Sequence, residues 1–280
     1  MSMKAMKRMG KLRLYIIYII VAAFFLFPIL WTLSMSLKSV QELYEVPPSL
    51  LPDRPMFENY EHVLIQSQFL RAIGNSLLIS LFTILGTLFV SIPAAYCFSR
   101  MRFRGSKTLQ FIILMFQMIS PLVVVVPLYQ YFSKINMLNT FSGVIMICIA
   151  ISAPFQVWFL KGFMDTIPKA LDEAATIDGC TPMMTLTRVI LPVIAPGILS
   201  SVLLIFISSW SQFIVPYILI DKTSMMTAAV RLVNLQSSLH EITTHYLAAA
   251  SIVSIFPIIL IFATLQRYIV SALTAGAVKG

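Results

Sequence analysis

Charged side chains are what this sequence has least of. Asp, Glu, Lys and Arg make up 11% of its 280 residues, against roughly 25% in an average soluble domain. With 59% of residues hydrophobic and a mean hydropathy of +0.89, a water-soluble fold could not cover its apolar surface. Cysteine is also scarce. Cys97, Cys148 and Cys180 have no CxxC or paired spacing, which argues against a disulfide framework or a metal site. The three histidines, His62, His240 and His245, lack HExxH or comparable ligand spacing, so His240, Glu241 and His245 read as ordinary loop polarity. There is no GxxxxGK followed by Ser or Thr, so the chain is not expected to hydrolyse ATP itself. No catalytic residue, metal or resident cofactor is expected.

What the chain does have is long apolar runs. A spanning helix needs about 20 such residues, because the hydrocarbon core is about 30 Å thick and the rise about 1.5 Å per residue. Six segments qualify: Leu14 to Leu33, Asn75 to Cys97, Leu109 to Phe132, Ser142 to Leu160, Ile198 to Ile220 and Leu247 to Val270. The first is too long for a signal peptide and no small-residue cleavage site follows it. Pro121 and Pro127 in the third and Pro216 in the fifth should kink or unwind those spans. The fold class is therefore an all-α polytopic membrane protein with six transmembrane helices, residues 1–280 forming a single transmembrane domain.

The net charge of +9 reads as orientation in a bilayer and not as affinity for nucleic acid, because the basic residues cluster beside the apolar runs. Lys4, Lys7, Arg8, Lys11, Arg13, Arg100, Arg102, Arg104, Lys107, Lys161, Lys169, Arg188, Arg267 and Lys279 fall on one side, fourteen of the twenty. Lys38, Arg54, Arg71, Lys134, Lys222 and Arg231 fall on the other. Loops rich in Lys and Arg stay in the cytoplasm, so both termini should be cytoplasmic in a multi-pass membrane protein.

Two connections are too long for turns, 34–74 outside and 161–197 inside. The outer one, with Pro47, Pro48, Pro52 and Pro55 among acids, is expected to form an ordered or semi-ordered cap. In the inner one Thr166 is expected to cap a short helix that Gly179 ends, and Thr181 to cap a second with Pro182 in its first turn, before Pro192 disfavours continuation. On the first helix Leu171, Ala174, Ala175 and Asp178 follow i, i+3, i+4, i+7 spacing, a small-residue face that another backbone can approach closely. Taken alone, such a helix is usually just a surface helix packed on its own protein. Asp165, Asp172, Glu173 and Asp178 run against the basic trend of the inner face, which points to a basic docking partner.

The full spacing is more specific. Glu173-Ala174-Ala175, three residues, Gly179, nine residues and Val189-Ile190-Leu191-Pro192 resemble the coupling motif of the membrane subunits of binding-protein-dependent ABC importers, with Val189 where isoleucine is commoner. Tyr96 to Gly105, YCFSRMRFRG, and the ending Leu273 to Gly280, LTAGAVKG, look like those of the MalG-type permeases of the carbohydrate importer family. The resemblance implies the type I ABC importer permease (MetI-like) fold, with 161–197 as the coupling loop. Its implied partners are a second permease, two cytosolic ATPase subunits that bind the ATP and Mg, and an extracytoplasmic binding protein that delivers a sugar. It further implies that Leu171, Glu173, Ala174, Ala175, Asp178 and Gly179 dock in an ATPase cleft, and that Val278, Lys279 and Gly280 reach between the ATPases.

The rival is a secondary transporter not coupled to ATP. Proton coupling needs an ionisable residue near mid-membrane, and none of the spans has one there; sodium coupling through backbone carbonyls stays open. Amides and aromatic faces suit a sugar, which makes Gln117, Trp210 and Gln212 candidate pathway residues. The competing reading is that such groups join neighbouring helices. Single cysteines placed at position 4, 106 or 279 should be labelled by an impermeant maleimide only from the cytoplasmic side, and those at 58 or 224 only from outside; a reversed pattern sinks the six-span topology.

Overall fold

The computed structural model describes residues 3–101, 103–236 and 244–277, and every regular element among them is helical. In chain order the principal helices are α1 (Met3–Ser36), α2 (Phe69–Arg100), α3 (Ser106–Met115), α4 (Pro121–Lys134), α5 (Phe141–Asp165), α6 (Ala170–Ile177), α7 (Pro182–Val193), α8 (Ala195–Trp210), α9 (Ile214–Leu219), α10 (Ala228–Gln236) and α11 (Thr244–Ala277). Four are single helices long and apolar enough to cross a membrane: α1, α2, α5 and α11. Two bent pairs complete the six spans if each pair counts as one. The α3 side turns into α4 by 93° and α7 into α8 by 82°.

The breaks follow from proline. Its ring clashes with the carbonyl four residues back and it has no N–H to donate. Four residues before Pro121 is Gln117, in the 3₁₀ turn Phe116–Met118 that ends the α3 arm, and Ser120 then caps α4. Four residues before Pro216 is Gln212. The expected fifth span, 198–220, accordingly stops at Trp210 and resumes as the short α9. Its N-terminal half comes from the bent junction at Ile194, two residues beyond Pro192.

The chain divides into two compact units, 1–70 with 232–256, and 71–231 with 257–280. In the first, residues 14–30 of α1 are exposed along their whole length, as suits a helix whose neighbours are lipid or another subunit. The segment after α1 is ordered by polar contacts: Ser34 Oγ donates to the Leu50 carbonyl (2.6 Å), Asn59 Nδ2 to the carbonyls of Ser36 (2.9 Å) and Lys38 (3.1 Å), and Lys38 Nζ to the Ser49 carbonyl. Ser39 and Glu42 form a capping box there. His62 stacks on Tyr246, with ring centroids 4.1 Å apart.

In the second unit α2 turns a hydroxyl stripe inward. Ser76, Ser80, Thr83, Thr87 and Ser91 recur at helical spacing and are all buried, which lets helices approach where lipid provides no hydrophobic drive. At one end of the unit Ile79, Phe132, Val144, Cys148, Val215 and Leu219 pack together. At the other, Ala95 and Tyr96 of α2 meet Leu160 and Met164 of α5 and Leu186, Ile190 and Ile194. This second cluster is the floor of the candidate site. Beside it α8 starts against α5 so closely that a Cβ on Gly197 would lie 2.6 Å from Cγ of Phe163. We expect Gly197→Ala to lower unfolding stability in detergent by about 1–3 kcal/mol, the usual cost of overpacking, with recovery in Gly197→Ala/Phe163→Leu. An unchanged melting temperature would mean that the α5–α8 contact yields freely.

Candidate functional site

The site is built at the corner where α5 gives way to α6. Lys161 and Asp165, one turn apart, pair at 2.5 Å and carry α5 on to Asp165. Thr166 therefore sits at the end of α5, its hydroxyl donating back to the Phe163 carbonyl (2.7 Å), and it does not cap the next helix as its position suggested. The N-cap position of α6 is Lys169, which supplies no side-chain cap; Asp172 and Glu173 in the first turn face the positive end of the helix dipole instead. Gly179 ends α6 with φ +83°. The Cys180 amide reaches the Ala175 carbonyl (2.9 Å) and the Gly179 amide that of Thr176 (3.0 Å), a Schellman ending. Thr181 does cap the following helix, its Oγ accepting from the Met184 amide (3.3 Å), with Pro182 next. That helix relaxes into a π-helical stretch over Thr185–Ile190 before the bend at Ile194.

The four acids of this corner separate into two pairs. Asp172 is held from α2: its Oδ2 lies 2.9 Å from Arg100 Nε and its Oδ1 accepts from the Tyr96 hydroxyl (3.2 Å). Arg100 Nη2 also donates to the Ile167 carbonyl (3.2 Å). Asp165 accepts from Ser99 Oγ (2.7 Å) as well as from Lys161. Asp165 and Asp172 are thus spent within the chain, a correction to the expectation that all four acids await a partner. Glu173 and Asp178 are exposed and bond no other described side chain.

The small-residue face is likewise divided. Ala175 is buried, 5% exposed, against its own protein, while Leu171, Ala174, Asp178 and Gly179 are exposed. The missed residue is Ile177, 86% exposed at the end of α6. Its signal was in the sequence: a large aliphatic one turn after Glu173, two residues before the glycine, in a helix otherwise short of large apolar groups.

The three pathway candidates have different surroundings. Gln117 Nε2 donates to the Ile151 carbonyl (3.3 Å) and, among the described residues, is the one polar side chain on a cavity of about 340 Å³ lined by Phe116, Ile119, Val124, Ile147, Ile151 and Ile214, among others. Trp210 is buried, 5% exposed, and stacks on Phe206 with centroids 5.5 Å apart, so it packs within this chain and presents no face to a sugar. Gln212 is half-buried in the break between α8 and α9. Val278, Lys279 and Gly280 lie outside the described residues, as do His240 and Glu241. Among the described residues no group of three or more His, Cys, Asp or Glu could hold a metal ion.

Comparison with known proteins places this corner in a family. The profile of the family described as "Binding-protein-dependent transport system inner membrane component" matches residues 86–275, which include the whole of the site. The trehalose transport system permease protein SugB of Mycobacterium tuberculosis is 33% identical over 262 residues, covering 93% of this chain and 95% of that protein. The trehalose/maltose transport system permease protein MalG of Thermococcus litoralis is 32% identical over 264 residues, 94% of each. Among solved structures, a chain of a bacterial ABC transporter that imports the acidic polysaccharide alginate superposes with a TM-score of 0.80 at 22% identity, over 96% of this chain and 99% of that one. A family match over more than half the length and relatives this similar from end to end carry one conclusion: the chain belongs to the binding-protein-dependent transport system inner membrane components, the membrane-spanning permeases of ABC importers.

Proposed function

We propose that this chain is the MalG-type permease of a carbohydrate importer, lining the translocation pathway with a second permease, and that α6 is its docking helix for one of two cytosolic ATPase subunits. The observation that carries the docking is the exposed end of α6: Ile177, 86% exposed, flanked by two carboxylates that bond no other described side chain. An apolar anchor within a rim of charge is the usual make-up of a protein interface. Gly179 ends α6 with φ +83° and Thr181 caps the helix that follows, so local backbone contacts set the turn beside the anchor. On this reading both termini are cytoplasmic, the 34–74 segment faces an extracytoplasmic binding protein, and Val278, Lys279 and Gly280 contact the ATPases. The chain itself has no catalytic role; ATP and Mg belong to the partner subunits.

A sugar is the cargo that the relatives favour, since the two permeases named above serve trehalose or trehalose and maltose transport and the solved neighbour imports alginate. Within the chain, Gln117 and Gln212 are the amides retained as pathway candidates. Both lie four residues before a helix-breaking proline, and irregular backbone at membrane depth is tolerated where it lines a cavity.

The docking reading predicts that Glu173→Lys, Ile177→Asp and Gly179→Val leave the protein inserted in the membrane but abolish uptake, with the ATPase released or no longer stimulated by sugar-loaded binding protein. A desolvated charge at an interface loses about 2–5 kcal/mol when its partner is removed. At Gly179 a β-branched residue cannot hold φ +83° without strain. Co-purification of the ATPase with each variant is the measurement; normal ATPase binding and transport in all three would reduce α6 to a surface helix.

A further inference from the structure

The corner holds contacts that docking does not use. Tyr96, Ser99 and Arg100 stand at i, i+3, i+4 on the last turn and a half of α2, so they share one face. From that face they take hold of Asp165 at the end of α5, the Ile167 carbonyl in the turn and Asp172 in α6, at 2.7 to 3.2 Å. Side-chain exposure is 8% for Arg100 and 18% for Asp172. Beneath them lies the apolar cluster of Ala95, Leu160, Met164, Ile167, Leu186 and Ile190.

We propose that the Arg100–Asp172 pair, supported by Tyr96 and Ser99, is the joint that passes motion of the docking helix α6 to α2. The proposal rests on the docking reading above and adds the route by which docking is felt in the membrane. Covalently α6 is joined only to α5 on one side and α7 on the other. The α7 exit is bent by 82° at its junction with α8, where a displacement can be absorbed. In contrast, α2 is one uninterrupted helix of 32 residues, about 48 Å long at 1.5 Å per residue. It is joined covalently to none of α5, α6 and α7, and the ion pair is what links it to α6. Parting Asp172 from Arg100 would leave two charges poorly solvated, so carrying α2 along with α6 is the cheaper movement. Arginine suits the joint because its planar fork can set one nitrogen against a carboxylate while another donates to a carbonyl: Nε lies 2.9 Å from Asp172 Oδ2 and Nη2 donates to the Ile167 carbonyl (3.2 Å), an arrangement that a lysine ammonium does not reproduce.

The test uses the assembled importer, with its second permease and ATPases, in lipid nanodiscs. Its three cysteines are replaced by alanine, and nitroxide labels are attached at Phe89→Cys on α2 and Leu204→Cys on α8. Pulsed dipolar spectroscopy reads the label distance before and after trapping the ATPases with Mg, ATP and vanadate. In the parent we expect trapping to change the distance. In Asp172→Asn and Arg100→Gln we expect the ATPase to remain bound at parental stoichiometry while the balance between the two distances moves back by about 5- to 150-fold, the span of ordinary coupling between sites. Arg100→Lys, which keeps the charge, should fall between, and serves if the other variants are poorly inserted. A parent distance that trapping does not change overturns the joint, and so does a full response in Asp172→Asn and Arg100→Lys. Release of the ATPase from Asp172→Asn overturns it too, because Asp172 would then be a docking residue. An ATPase that does not bind the parent chain overturns the docking reading and the joint together.

Discussion

The Arg100–Asp172 ion pair decides how the rest of the corner is arranged. Burying two charges costs more than their attraction returns unless the remaining donors and acceptors are also satisfied. Here the Tyr96 hydroxyl donates to Asp172 Oδ1 and the Ile167 carbonyl accepts from Arg100 Nη2. Once Asp172 is turned toward α2, the helical period fixes the remainder of α6. Ala175, three residues further on, must also face inward, and its small side chain lets α6 lie close. Glu173, Ala174 and Ile177 are then carried to the opposite side. The face available to a partner is set by an interaction within the chain.

The second organising element is proline, used at two kinds of place. Inside α1, α2, α4, α5 and α11 it is accommodated without ending the helix. At Pro121 and Pro216 the helix is interrupted four residues earlier, and in both cases the residue at that distance is a glutamine, Gln117 or Gln212. A broken helix exposes backbone carbonyls that lipid cannot satisfy. Gln117 spends its amide on the Ile151 carbonyl. The same economy appears on α2, where Asn75 donates to the carbonyls of Ser224 (3.1 Å) and Met226 (2.9 Å) and Ser76 accepts from the Ala228 amide (2.9 Å).

Much of this protein was determined by its sequence alone. Scarce charge and six apolar runs dictate an α-helical membrane chain, because only helices or closed barrels satisfy every backbone group in lipid. The Glu-Ala-Ala to Leu-Pro spacing marks the corner, and Gly179 and Thr181 announce its geometry through local preferences that need no tertiary partner. What tertiary structure alone decided was direction. Four acids in one short segment look equivalent in sequence, yet α2, more than sixty residues earlier, claims Asp165 and Asp172 and leaves Glu173 and Asp178 outward. Trp210 and Gln212 are two residues apart, but Phe206 draws the indole into the core while the helix ends before the amide. The reason is the same in each case: helical period and capping are written over a few neighbouring residues, whereas the choice of buried partner depends on which distant helix arrives alongside.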